Sequence, residues 1–180
     1  FDGATRKWRY ENEYPLKRTE WTPFYLHGGK AKGKNDPIQG TLTLQPPAAE
    51  KPDKYKLPES TRLLLEGKPV LVYSTPALKK DVPVWGPLSA VLYGSSTEKD
   101  TVWFVKLFDQ GPGKEMKLLS RGILRGSFRE VDQERSRPGQ PLHLFEEQAP
   151  LEPMKTYEFQ IEMKPVFYTF QAGHRIRVEI

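Results

Sequence analysis

The chain has 180 residues, enough for one domain with a sizeable core, and carries 28 Lys and Arg against 23 Asp and Glu, a net charge of +5. It holds no run of about 18 apolar residues, so nothing reads as a helical membrane span, and the mild positive charge is spread out rather than gathered in a patch, which argues against a nucleic-acid partner. Zero Cys excludes disulfides, thiol nucleophiles and cysteine-based zinc sites; the compartment stays open, with the cytoplasm favoured.

Taken in chain order, Trp8 to Tyr25 is aromatic, interrupted by Pro15 and Pro23, and reads as extended chain packed on something. Residues 27–40 read as a Gly/Lys loop. Thr41–Leu44 alternates with period two and predicts a half-buried strand. Pro46 to Pro58 reads as a long polar connection, and Glu59–Leu65 offers one helical turn at most. Short apolar runs predict strands at Val70–Tyr73 and Leu88–Tyr93. Thr101–Phe108 is nearly continuous in β-branched and aromatic residues, which predicts a central strand buried on both faces. It ends in Asp109-Gln110-Gly111-Pro112-Gly113, a turn signal. Ile123–Arg129 predicts another strand. Tyr157–Met163 alternates cleanly, apolar at odd positions; Val166–Phe170 follows after Pro165, and Arg175–Ile180 closes with Ile176, Val178 and Ile180 facing in. Eight to ten short strands with Gly/Pro turns and no 3.6-residue period predict an all-β, jelly-roll sandwich.

Catalytic motifs are incomplete. Gly28-Gly29-Lys30-Ala31-Lys32-Gly33-Lys34-Asn35 approaches a phosphate loop, but Asn35 stands where a Mg²⁺-binding hydroxyl belongs, and Pro37 and Gly40 prevent the helix that would follow. Gly94-Ser95-Ser96-Thr97-Glu98 lacks the second Gly of a nucleophile elbow. His27, His143 and His174 form no helical metal pair. His174, at the start of a strand, reads either as a general base or as a turn residue bonding the backbone. Asp81, Asp100 and Asp109 sit at strand or turn boundaries, where Asx-type bonding accounts for them. No metal or cofactor is expected. Trp8, Trp21 and Trp85 could stack on sugars, so a carbohydrate-binding jelly-roll module is the alternative reading.

Several stretches resemble one family in order along the chain. Tyr73-Ser74-Thr75-Pro76-Ala77-Leu78-Lys79-Lys80-Asp81-Val82-Pro83-Val84-Trp85-Gly86 resembles its Y-S-x-P-L-x-x-D-x-x-V-x-G stretch. Leu92 to Ser96 followed by Asp100-Thr101 resembles L-x-x-S-S…D-T-D-F, with Val102-Trp103 departing from the usual Asp-Phe. Val105–Asp109 resembles x-K-L-x-D, Gly122–Arg125 resembles G-x-L-R, and Phe170–Val178 resembles F-x-x-G-H-R-x-R-V. The family is the C-terminal domain of the CocE/NonD hydrolases: Xaa-Pro dipeptidyl-peptidases, cocaine-esterase-like acyl esterases and α-amino-acid ester hydrolases.

The resemblance implies a galactose-binding-like jelly roll and a parent serine hydrolase whose Ser-His-Asp triad lies in an α/β-hydrolase domain N-terminal to this region. No triad residue maps here, so the chain alone is expected to be inactive. Residues 1–26 are expected to be the join after that domain, and 27–180 the jelly roll, cut short at its C-terminal end. The α/β-hydrolase domain is the implied partner, and a homodimer is a further expectation. Leu92 and Tyr93 are the candidates for the substrate-cleft wall. Asp81, Gly86, Ser95, Ser96, Asp100, Asp109, Gly173, His174 and Arg175 are the structural residues of the motifs.

Overall fold

In a computed structural model, described for residues 1–33, 36–56 and 71–180, the chain is an all-β sandwich. Eight strands run in order: β1 (Tyr25–Lys30), β2 (Ile38–Thr43), β3 (Leu71–Ser74), β4 (Val82–Gly94), β5 (Val102–Gln110), β6 (Met116–Arg125), β7 (Tyr157–Phe170) and β8 (Arg175–Glu179). Six form one sheet in the order β1-β2-β3-β8-β5-β6, and β4 pairs with β7 in a separate ribbon. Neighbours are antiparallel except β2 and β3. The expectation for Glu59–Leu65 lies outside the described residues.

The core lies between sheet and ribbon. Phe159, Ile161 and Phe170 of β7 are wholly buried there, with Val105 and Leu107 of β5, Leu124 of β6, Leu42 of β2 and Ile176 of β8. The even/odd alternation of residues 157–163 puts Phe159, Ile161 and Met163 on this inner face. Burying such a side chain contributes about 1.5–3 kcal/mol. Beyond the bulge near Gly86, Val166, Tyr168 and Phe170 turn inward in place of the odd-numbered set. β6 closes against β7, where the Ser120 hydroxyl donates to the Lys164 carbonyl at 2.6 Å.

Four expectations change. Residues 27–40 are not one loop: Tyr25–Lys30 and Ile38–Thr43 pair as a hairpin with an irregularity between His27 and Lys30. β5 is central, between β8 and β6, but buried on one face only; Val102 and Phe104 point outward, because no layer of described residues covers that side of the sheet. β6 starts at Met116 and ends at Arg125, and Gly126–Phe128 is a 3-10 turn. The cause is Asp100, which takes both the amide and the hydroxyl of Ser127 and draws the chain out of the ladder. β7 continues through Pro165, which lies at the ribbon's bulge, where no ladder donor is lost.

Candidate functional surface

Three aspartates organise the polar chemistry of the sandwich. Asp109, at the end of β5, is only 4% exposed. It accepts the Tyr168 hydroxyl at 2.6 Å and His174 Nδ1 at 2.9 Å. Burial foremost, then the bond to Asp109, pushes the Tyr168 phenol well above its ordinary value. Gly173, just before His174, has φ +84, a left-handed turn that favours glycine and aims the histidine at Asp109. Arg175 ties the same corner to β3 by donating to the Thr75 carbonyl at 2.8 Å. Asp81 accepts the Ala172 amide at 2.8 Å, which fixes the turn into β8.

The Asp109–His174 pair has the carboxylate-on-Nδ1 arrangement of a hydrolase triad. It lacks the nucleophile: among the described residues no serine or threonine hydroxyl is bonded to His174. The two readings of His174 thus resolve into a third, a ring bonded to a buried side chain that pins β8 and β5 together. Tyr168 was not singled out by sequence, because its hydroxyl serves a partner 59 residues away.

Asp100, just before β5, accepts Thr101 N, Ser127 N, Ser127 Oγ and Arg125 Nε at 2.6–2.9 Å. Burial alone would raise its pKa; the Ser127 and Arg125 bonds outweigh that and hold it low. The neighbouring Ser96 hydroxyl accepts the Glu98 amide, and its carbonyl accepts Met154 N–H; Ser95 is exposed. These serines shape a strand end.

The third aspartate, Asp2, lies outside every motif of the sequence. It is buried and takes four donors: Ala4 N, Thr5 N, Trp85 Nε1 and Thr169 Oγ1. Burial would raise its pKa, but these donors, the Thr169 hydroxyl first, hold it well below the usual carboxylate range. The one sequence signal was an Asp followed three residues later by Thr, an Asx-type turn.

Asp2 anchors residues 1–24 across the outer face of the β4–β7 ribbon. The Arg9 guanidinium lies 4.4 Å over Trp85, and Tyr14 stacks on Phe167 at 5.7 Å. Phe1, Tyr14, Leu16, Trp85 and Phe167 line a cavity of about 420 Å³ there. Trp85, with one face covered by Arg9 and its N–H bonded to Asp2, is no stacking platform for a sugar. Large aromatic groups of this segment remain bare: Trp8 is 72% and Tyr10 91% exposed, and Tyr14 and Trp21 are also exposed. Farther along the ribbon, past the bulge at Gly86 (φ +136), Val91 and Tyr93 point outward on the same face. Tyr93 is 72% exposed and donates to Glu158 at 2.7 Å on the paired strand. Leu92 points the other way, into the core opposite Phe159.

Among the described residues, no group of three or more His, Asp or Glu could hold a metal ion, and no helix is long and apolar enough to cross a membrane. The described residues thus form an all-β sandwich braced by a buried Asp–His pair, with exposed aromatic groups along residues 1–24. The family model of the X-Pro dipeptidyl-peptidase C-terminal non-catalytic domain matches residues 2–180, and the chain belongs to that family. It is similar to the cocaine esterase of Rhodococcus sp. (strain MB1 Bresler), 30% identical over an alignment covering 97% of this chain and 32% of the esterase. It is also similar in structure to a CocE/NonD family hydrolase from Staphylococcus aureus, with TM-score 0.72 at 19% identity over 99% of this chain and 31% of that one. An aminopeptidase from a marine-sediment Thaumarchaeota archaeon superposes with TM-score 0.66 at 25% identity, over 98% of this chain and 31% of the aminopeptidase. The chain spans about a third of the length of these relatives. The sequence reading of a C-terminal non-catalytic domain of this hydrolase family is borne out.

Proposed function

We propose that this domain packs on the catalytic domain of a serine hydrolase through the outer face of the β4–β7 ribbon, and that Tyr93 forms part of the wall of the substrate cleft. The observation that carries the reading is the aromatic face itself. Trp8, Tyr10 and Tyr14 of the N-terminal segment are exposed, and so are Phe167, Val91 and Tyr93 on the outer face of the ribbon. Apolar groups gathered to that extent mark a surface that another protein surface covers. The 1–24 segment lies at one end of this face, where a preceding domain would enter, and Tyr93 lies at the other. In this reading residues 1–26 are the join, and the acyl-ester or X-Pro substrate meets this chain only at the edge of the ribbon. Leu92 supports the wall from behind by holding β4 on Phe159.

The test is enzymatic. The 180-residue chain is expected to turn over neither a p-nitrophenyl acyl ester nor an X-Pro-nitroanilide. In the full-length parent, Tyr93→Ala is expected to raise KM for the preferred substrate about threefold to tenfold, about 0.7–1.4 kcal/mol, with a smaller change in kcat. Hydrolysis by the isolated chain that disappears in His174→Ala would overturn the non-catalytic reading. An unchanged KM in Tyr93→Ala would remove the cleft wall.

A further inference from the structure

The strand β1 holds a second histidine–carboxylate pair, His27 with Glu50, that the proposed function does not use. Among the described strands, β1 is an edge of the six-stranded sheet. Edge strands carry a row of backbone donors and acceptors that recruit other strands unless something covers them. Here residues 45–53 cover it. The Gly28 amide donates to Glu50 Oε2 at 2.9 Å, and the Gly29 amide to Asp53 Oδ1 at 3.2 Å. The other oxygen of Asp53 accepts the Tyr73 hydroxyl of β3 at 2.7 Å. The other oxygen of Glu50 meets His27 Nδ1 at 2.6 Å. His27 Nε2 faces the Gln45 carbonyl at 3.0 Å and the Thr43 hydroxyl at 2.9 Å.

We infer that residues 45–53 are a strap that masks the β1 edge, that the charged form of His27 locks it, and that the edge opens as the ring loses its proton. The carboxylate of Glu50 and the carbonyl of Gln45 are acceptors only, one on each ring nitrogen, so both nitrogens are best served by carrying hydrogen. A neutral ring could keep its hydrogen on Nδ1 and accept from Thr43. It would then set a lone pair against the Gln45 carbonyl and strip Glu50 of its counter-charge. Consistent with this, the Glu50 bond foremost holds the His27 pKa above its ordinary value. The titratable or charged residues on the elements packed about His27 are Glu50, Lys51 and Asp53 of the strap, Tyr25 and Lys30 of β1, and Tyr73 of β3; β2 carries none. The raised pKa fixes the sign: the lock is fully present below the ordinary histidine pKa and is lost as pH rises through the raised one. The strap is therefore closed at mildly acidic pH and loosens toward alkaline pH.

Hydrogen–deuterium exchange read by mass spectrometry on a peptide spanning Tyr25–Lys30 tests this in the full chain. Measurements at about pH 5 and about pH 8 bracket the titration of histidine. After correction for intrinsic exchange, protection of Gly28 and Gly29 is expected to fall about fivefold or more from the lower pH to the higher. In His27→Gln, which cannot ionise, protection is expected to be low and independent of pH. In Glu50→Gln it is expected to fall at both. The β5 peptide, far from the strap, reports that each variant is folded. Equal protection at both pH values in the parent, or the same pH dependence in His27→Gln, would overturn the inference.

Discussion

Two histidines in this sandwich place Nδ1 on a carboxylate, His174 on Asp109 at 2.9 Å and His27 on Glu50 at 2.6 Å, and their surroundings give the pairs different consequences. Asp109 is buried beside the core and shared with the hydroxyl of Tyr168, so its pair joins β5, β7 and β8 and has no freedom to open. Glu50 is exposed on a strandless segment, so its pair fastens that segment to a sheet edge and can be released without disturbing the core. The same side-chain chemistry is a fixed brace in one place and a latch in the other. The difference lies in desolvation: breaking one side of a buried pair strands a charge in low dielectric, whereas water replaces the lost partner at the surface.

The largest expected effect breaks the brace. Asp109→Ala removes the acceptor from the Tyr168 hydroxyl and the His174 ring together, and should cost about 3 kcal/mol in urea unfolding. Asp2→Asn comes next. The amide would set its NH₂ against Trp85 N–H, which can only donate, and force the Thr169 hydroxyl to turn from donor to acceptor, at a cost of about 2 kcal/mol. It should also free residues 1–24, seen as faster proteolysis within them. The depressed pKa of Asp2 gives a pH signature: its contribution is present above the unfolded aspartate pKa of about 3.9 and is lost as pH falls below it. Asp2→Asn should lose that part of the acid dependence. Opening the latch with His27→Gln should leave the midpoint of global unfolding nearly unchanged while local exchange at β1 rises. Tyr93→Ala should shift stability by no more than about 0.5 kcal/mol, since its ring is exposed and its bond to Glu158 lies at the surface. An Asp109→Ala penalty no larger than that of Tyr93→Ala would erase the distinction between brace and surface.

The legible parts of the fold were those whose side chains record the environment. The alternation of residues 157–163 and the apolar run of β5 announce strands because inner-face residues must be apolar. β1 reads as a loop in the sequence because Gly28 and Gly29 have no side chains to carry a pattern; its strand state comes from β2 and the strap. The first half of β4 carries no strand signal in the sequence, because Pro83, Gly86 and Pro87 look like breakers. A two-stranded ribbon tolerates them, since a proline on its unpaired side costs no ladder bond. Asp100, Asp109 and His174 were legible as strand-boundary residues within family motifs. What they bond was not, because Ser127, Tyr168 and the β5–β8 register bring together positions far apart in the chain.

The central claim is that a catalytic domain covers the outer face of the β4–β7 ribbon. Hydroxyl-radical footprinting of Trp8, Tyr10 and Tyr93, in the 180-residue chain and in the full-length parent, tests it most directly. The account expects strong labelling of all three in the isolated chain, where they are exposed, and marked protection in the parent, while Phe104 on the opposite sheet stays labelled in both. Equal labelling of Trp8, Tyr10 and Tyr93 in the two proteins, or protection that falls on Phe104 instead, would contradict it.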